Sequence, residues 1–325
     1  MRDSITKRRV SEAELARLVS RAFGPSARAT AWREFEGGTY NAAYAVTLDD
    51  GRELVLKVAP PPHLKLLTHE VDLMRTEVDF YGRAAAVGVP VPEVVYAGFE
   101  RDLLGTDFVF LSLVPGTDLR SLVDDGLPPA EIAAVRGQVA GLTARLHTIT
   151  GSGYGYPLRD SRTWQSSWRG AFGAMVDDLL ADASRLDKPL PAPPSRIGEL
   201  MRRHASCLDD VTRPALVHFD LWDGNVFVER GPEGLRVTGF IDGERAFWGD
   251  PVAELVSLAL LREPEPELLA GLELTGSVSR RLDLYRTYLY VIMAIEGATR
   301  GWYDAERVKF ETWLAERIDA QLALL

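Results

Sequence analysis

Hydrophobic positions recur at two different periods along the chain, and the change from one to the other divides it. After a short amphipathic segment at 11–23 (SEAELARLVSRAF), whose Ser11 is suited to an N-cap, residues 30–59 read as a run of strands. Within that run NAAYAVTL and RELVLKVA flank Asp49, Asp50 and Gly51, residue types of a hairpin turn, so an antiparallel start is expected. Residues 65–87 take a helical period, the prolines of VGVPVPEVV at 87–95 break it, and a further strand is expected at 107–114 (DFVFLSLV). Beyond the connector PGTDL the pattern turns mainly helical. Helices are expected at 129–147, 165–186, 196–209, 251–262 and 279–298, with short strands and two polar loops at 213–249 and Pro-rich surface loops at 189–194 and 264–266. Strands first and helices later predict an α+β chain with two lobes: a small antiparallel β-sheet lobe, 1–112, and a larger mainly helical lobe, 113–325.

Composition narrows the classes of partner. The 325 residues include 46% hydrophobic and 26% charged positions, values of a soluble globular protein. Lys plus Arg number 37 against 47 Asp plus Glu, and a net charge of −10 repels polyanions, so nucleic acid and anionic membrane are not expected as partners. The same field would draw in a cationic small molecule, although such a charge also serves solubility alone. Oligomeric state is left open. A single cysteine, Cys207, rules out an internal disulfide, and MRDSITKRRV lacks the apolar core of a secretory signal, so the expected compartment is the cytoplasm. No apolar run approaches the roughly 20 residues that span a bilayer. No His and Cys cluster has zinc spacing, and Ser206-Cys207 has no strand-turn-helix elbow around it.

The chemistry concentrates in LVHFDLWDGNVFV (216–228). His218, Asp220, Leu221 and Asn225 fit the kinase catalytic-loop pattern H-R-D-L-x-x-x-N, with Phe219 in place of Arg. Asp220 would orient the hydroxyl to be phosphorylated and accept its proton, while Asn225 would turn back to a metal on the nucleotide phosphates. In VTGFIDGERAFWGDPVAEL (237–255), Asp242 follows an apolar run, where its carboxylate can bridge magnesium to phosphate. His218 reads as a structural hydrogen-bonder. In the first lobe Lys57 (LVLKVAP) is expected on the strand face opposite Leu56 and Val58, towards a cleft where it can hold phosphates; the plain alternative is a solvated lysine. Glu77 on the following helical segment is the preferred partner for Lys57, with Glu70 as rival. EFEGGTYNAAY offers Gly37, Gly38, Thr39 and Asn41 at a turn between strands, where backbone amides can approach phosphate oxygens.

Together GGTYN, VLKVAP, GVPVPEVV, FLSLVPG, HFDLWDGN and FIDGERAFWGDPVAEL resemble, in the same order, the aminoglycoside phosphotransferase family, a kinase-like group that also holds choline, macrolide and fructosamine kinases. The resemblance runs from about 34 to about 300 and implies a protein-kinase-like bilobal fold with ATP, or GTP as in some relatives, and Mg2+ as cofactors. It implies that Lys57 contacts the α- and β-phosphates with Glu77 as partner, that Asp220 is catalytic, and that Asn225 and Asp242 hold magnesium. It makes FLSLVPG the hinge, with adenine bonding to main chain near Ser112 and Val114, and Asp250 a structural residue. Phe219, where a small residue is usual, and Glu254, where Asp is common, are departures that bear on the subfamily more than on the reaction.

The implied activity is phosphorylation of a hydroxyl on a small polar or cationic molecule: an aminoglycoside or other antibiotic, an amino sugar or an amino alcohol. A fructosamine-type kinase of glycated acceptors and a non-catalytic kinase-like regulatory protein are the alternatives. Candidate acceptor-wall residues are Trp168, Tyr285, Glu296, Trp302 and Asp304. The competing reading sends the tyrosines and leucines of 282–304 to the core and pairs Glu296 with an arginine such as Arg300.

Overall fold

The computed structural model describes residues 3–157, 162–269 and 276–325. In chain order the elements are α1 (Glu12–Phe23), β1 (Ala29–Glu34), β2 (Ala42–Leu48), β3 (Glu53–Val58), α2 (Leu73–Ala86), β4 (Val94–Gly98), β5 (Phe108–Ser112), β6 (Thr117–Asp118) and α3 (Leu119–Asp124). There follow α4 (Pro129–Leu146), α5 (Trp168–Arg185), α6 (Pro194–Arg203), β7 (Ala215–Val217), β8 (Val226–Gly231), β9 (Gly234–Phe240), β10 (Phe247–Gly249), α7 (Glu254–Leu258), α8 (Gly276–Arg300) and α9 (Ala305–Leu324). The chain is α+β and forms two compact units, 1–66 with 92–114 and 297–302, and 67–91 with 115–296 and 303–325.

The first unit is built on a five-stranded antiparallel sheet in the order β1-β2-β3-β5-β4. NAAYAVTL becomes β2 with strict alternation of buried and half-buried positions, and Gly51 (φ 85°) turns the chain into β3 in a conformation that only glycine adopts freely. Leu54, Leu56 and Val58 of β3 join Leu15, Leu18 and Val19 of α1 in one core. Lys57 therefore lies on the other sheet face. The expected N-cap holds: Ser11 and Glu14 form a reciprocal capping box at the start of α1.

In the second unit a hydrogen-bonded pair, β7 with β10, and the ladder β6-β8-β9 frame two polar loops, 218–225 and 241–246. Around them α5, α8 and β10 meet through aromatic rings: Trp168 stacks on Phe247 at 5.4 Å and Phe172 meets Tyr285 edge-on at 5.2 Å. Some helices depart from the sequence pattern. The helical period from 65 starts as helix only at Leu73, because Asp72 (φ 53°) is left-handed and interrupts it. The 251–262 segment is a one-turn 3-10 helix followed by the short α7. The helix α9 was not expected; Asp304 caps it by accepting the Arg307 N–H.

Candidate active site

The loop 218–225 connects β7 to β8, so strand pairing fixes both its ends. Its backbone is strained at Phe219, which has a φ of 61° without being glycine. The buried carboxylate of Glu254 holds that conformation, accepting the N–H groups of His218 (2.7 Å) and Phe219 (2.9 Å). The Ser257 hydroxyl lies 3.0 Å from the same carboxylate and accepts the Leu221 N–H at 3.2 Å. Burial pushes Glu254 up, yet the adjacent His147 and His218 and the loop amides outweigh it and keep the carboxyl below its usual range. Both departures noted in the sequence are thereby explained. Glu254 is the anchor of the loop, and Phe219 fills the aromatic core against Phe247 at 4.9 Å and Tyr288 at 6.0 Å.

His218 is enclosed, and both ring nitrogens are engaged: Nδ1 accepts the Asp220 N–H at 3.2 Å and Nε2 lies 2.9 Å from the Ile241 carbonyl oxygen. This pairing puts the single proton on Nε2. Burial also lowers the pKa of His218 below its ordinary value, so the ring is a neutral strut between the two loops.

Asp220 keeps 28% of its side-chain surface open. Desolvation pushes its carboxyl up to about 7; Arg245 opposes this, and Asp242, Glu296 and Glu254 add to it. Asn225 packs beside it, its Nδ2 donating to the Asp220 carbonyl oxygen at 2.7 Å. The Asn225 Oδ1 takes no hydrogen bond among the described residues, and Asp242 on the neighbouring loop carries carboxylate oxygens of the same hard type. Two such donors suit Mg2+ shared with phosphate oxygens, so the residues present fit that cofactor. Asp242 is itself left-handed (φ 59°), and the turn around it is tightly constrained. Its N–H donates to the Tyr81 hydroxyl at 3.0 Å, the Ile241 N–H donates to the Asn225 carbonyl at 3.0 Å, and a Cβ on Gly243 would stand 2.3 Å from the Phe80 ring.

The nucleotide-side candidates fall in different places. Lys57 is buried in β3, opposite Ala43 of β2 and Val109 of β5. Glu77 belongs to the second unit, where it is fully buried on α2 and accepts the Tyr81 hydroxyl at 2.5 Å. Glu70 Oε2 accepts the Leu67 N–H at 2.9 Å, and its charge also acts on Arg245. In the turn 37–41, neither Gly37 nor Gly38 has a positive φ, and a Cβ on Gly37 would meet nothing within 4 Å. The fold therefore does not itself demand glycine at 37. The turn is braced from outside: Thr6 Oγ1 donates to the Thr39 carbonyl at 3.1 Å, and the Arg300 guanidinium lies 4.7 Å from the Tyr40 ring centre. Asn41 is buried beside Tyr40. At the expected hinge, Ser112 commits its N–H and its Oγ to Glu93, while Val114 lies past the end of β5 in irregular backbone.

The expected acceptor wall largely dissolves. Trp168 and Tyr285 are enclosed in the core, where a chain of hydrogen bonds runs from the indole N–H to the Tyr285 hydroxyl (2.7 Å) and on to Asp250 (2.7 Å). Asp250 also accepts the Val252 N–H at 3.1 Å, a structural role. Trp302 donates to the Asp3 carbonyl at 2.8 Å in the first unit, and Asp304 is the cap of α9. Of the five, Glu296 pairs with Arg245 (2.9 Å), whose Nε is 4.0 Å from Asp220 Oδ2. Arg300, the partner suggested by helical spacing, faces Tyr40. Arg245 and Tyr81 were missed. Tyr81 had a signal, four residues beyond Glu77 on the same helical face; Arg245 had only its place in a loop after Asp242.

Among known proteins, human "Acyl-CoA dehydrogenase family member 11" is 25% identical over 215 residues, 63% of this chain and 25% of the relative. The chain thus spans about a quarter of the length of the curated relatives it matches first. "Probable ketoamine kinase YniA" of Escherichia coli O157:H7 is 25% identical over 291 residues, 84% of this chain and 89% of the relative. Among solved structures, a "putative fructosamine-3-kinase" from Thermobifida fusca shares 20% identity with a TM-score of 0.64, covering 97% of this chain and 100% of that one. The gentamicin complex of the phosphotransferase APH(2")-IIa shares 16% identity with a TM-score of 0.67, covering 97% and 98%. These likenesses show a protein-kinase-like fold. Residues 31–285 match the profile of the phosphotransferase enzyme family that includes the aminoglycoside phosphotransferases, and the chain belongs to that family.

Proposed function

We propose that the protein transfers the γ-phosphoryl group of ATP to a hydroxyl of a small polar or cationic molecule, with Mg2+ as cofactor. The observation that carries this reading is the site of the second unit: Asp220 partly open to solvent, with Asn225 packed on its carbonyl and Asp242, itself left-handed, on the adjoining loop. Asp220 orients the acceptor hydroxyl and takes its proton as the oxygen attacks phosphorus and the bond to the β-phosphate oxygen breaks. Asn225 Oδ1 and the Asp242 carboxylate would hold Mg2+, which when bound neutralises charge on the phosphate oxygens. Lys57, with Glu77 as partner, and the amides of Gly37, Gly38, Thr39 and Asn41 grip the phosphates, and main chain near Ser112 and Val114 takes the nucleobase. The first unit thus serves the nucleotide, and the second carries the catalytic and acceptor groups. GTP as donor is the variant to compare.

For the acceptor, a ketoamine is the second reading, favoured by the near end-to-end match to the E. coli relative. A non-catalytic role is disfavoured because Lys57, Asp220, Asn225 and Asp242 are all retained. Among the described residues no helix is long and apolar enough to cross a membrane, and a soluble cytoplasmic enzyme is part of the proposal. The test is nucleoside diphosphate release on a panel of amino sugars, amino alcohols, sugars and ketoamines with ATP or GTP and Mg2+. Silence across the panel, together with no nucleotide-induced rise in melting temperature, would sink the enzyme reading.

A further inference from the structure

Asp242 can serve a metal only if its turn stays in place, and that turn is costly to hold. A left-handed aspartate is strained backbone, and its own part-buried N–H is costly to leave without a partner. That partner comes from α2: the Tyr81 hydroxyl accepts the Asp242 N–H at 3.0 Å and donates its own proton to Glu77 Oε1 at 2.5 Å. One residue earlier, Phe80 packs so closely on Gly243 that no Cβ fits there, and its ring meets His218 edge-on at 5.0 Å. Two consecutive side chains of α2 thus grip the metal-bearing turn, one by a directed hydrogen bond and one by contact.

We propose that Tyr81 is a positioning residue for the metal site, its hydroxyl fastening the Asp242 backbone to the Glu77 carboxylate. The inference rests on the phosphotransferase reading. It assigns Glu77 a second duty, since the carboxylate that would partner Lys57 also fixes which way the Tyr81 hydroxyl points. A hydroxyl whose proton is taken by Glu77 must face Asp242 with its lone pair, which is what the Asp242 N–H requires. The consequence is that α2 sets the position of Asp242 as well as that of Glu77.

The test compares wild type with Tyr81→Phe, which removes one oxygen and keeps the ring. Dissociation constants for ATP are measured by calorimetry with Mg2+ and with EDTA, and Mn2+ uptake is followed by electron paramagnetic resonance. The expected result is about tenfold weaker metal-nucleotide binding, the size typical of a lost outer-sphere partner, with metal-free ATP binding unchanged. Leu179→Ala, a buried truncation on α5, serves as a stability control and should leave the ratio of the two constants at the wild-type value. Equal weakening with and without metal, or none, would overturn the proposal. Should Tyr81→Phe not fold, Glu77→Gln and Glu77→Leu decide: the amide still accepts the Tyr81 proton and should preserve the metal dependence, whereas leucine should not. Identical metal dependence in the two overturns the assignment. A wild type that takes up no magnesium nucleotide at all would instead remove the underlying phosphotransferase reading.

Discussion

The loop at 218–225 and the turn at 37–41, both assigned to phosphate chemistry in the proposed function, are built in opposite ways. The first is fixed from within its unit by buried groups, Glu254, Ser257 and His218, and carries a strained residue that those groups hold in place. The second has no left-handed residue and empty space above Gly37, and is braced at its carbonyl by Thr6 and at its ring by Arg300. The difference matches what each must do. A group that takes a proton needs a set position before substrate arrives, whereas amides that follow a phosphate chain gain from being unobstructed.

Breaking the fixed loop at its chemical centre should have the largest effect. Asp220→Ala is expected to lower turnover by about 10³-fold while leaving the ATP dissociation constant within about twofold, measured by steady-state kinetics and calorimetry. Removing the anchor comes next. Glu254→Ala leaves two buried N–H groups without an acceptor and should cost about 3 kcal/mol or more in urea unfolding, with turnover falling alongside. The two glycines then separate the regions. Gly243→Ala forces a contact with Phe80 and should destabilise by about 1–3 kcal/mol, whereas Gly37→Ala should unfold like wild type and bind ATP several-fold more weakly. Equal stability losses would erase the contrast.

The smallest effect is on pH. His218 is held below its ordinary 6.5, so the unfolded chain binds the extra proton; its contribution to stability is full above 6.5 and is lost as pH falls below it. Asp220 is held up at about 7 from 3.8, so in that window the folded state binds more protons and stability falls as pH rises. The two slopes oppose each other. In an Asp220→Asn background the fall of stability with rising pH should weaken in melting temperatures between pH 5 and 7.5, and His218→Gln should weaken the opposing rise.

Local patterns made the first unit readable. The alternation in β2 and β3 and the turn at Gly51 are set by neighbours in sequence, and the capping box of Ser11 and Glu14 is written within four residues. The packing of Asn225 on Asp220 was legible for the same reason, since the two lie five residues apart. What escaped depends on contacts far apart in the chain. Tyr285 and Trp168 look like pocket aromatics until Asp250 and Phe247 are seen to enclose them. The helix α9 buries little more than Leu314, Ile318 and Leu322 down one narrow stripe, too thin a signal among charged neighbours. Glu254 stood out only as an unusual residue type, because its task is to hold backbone 35 and 36 residues away in sequence.

That last feature bears on how the protein could be redesigned. HFDLWDGN is compact enough to invite transplantation between relatives as a cassette. In this chain, though, the cassette's shape is stored outside it, in a carboxylate one methylene longer than aspartate and in the serine three residues on. A graft that moves 218–225 without Glu254 and Ser257 would carry the reactive groups and leave their geometry behind.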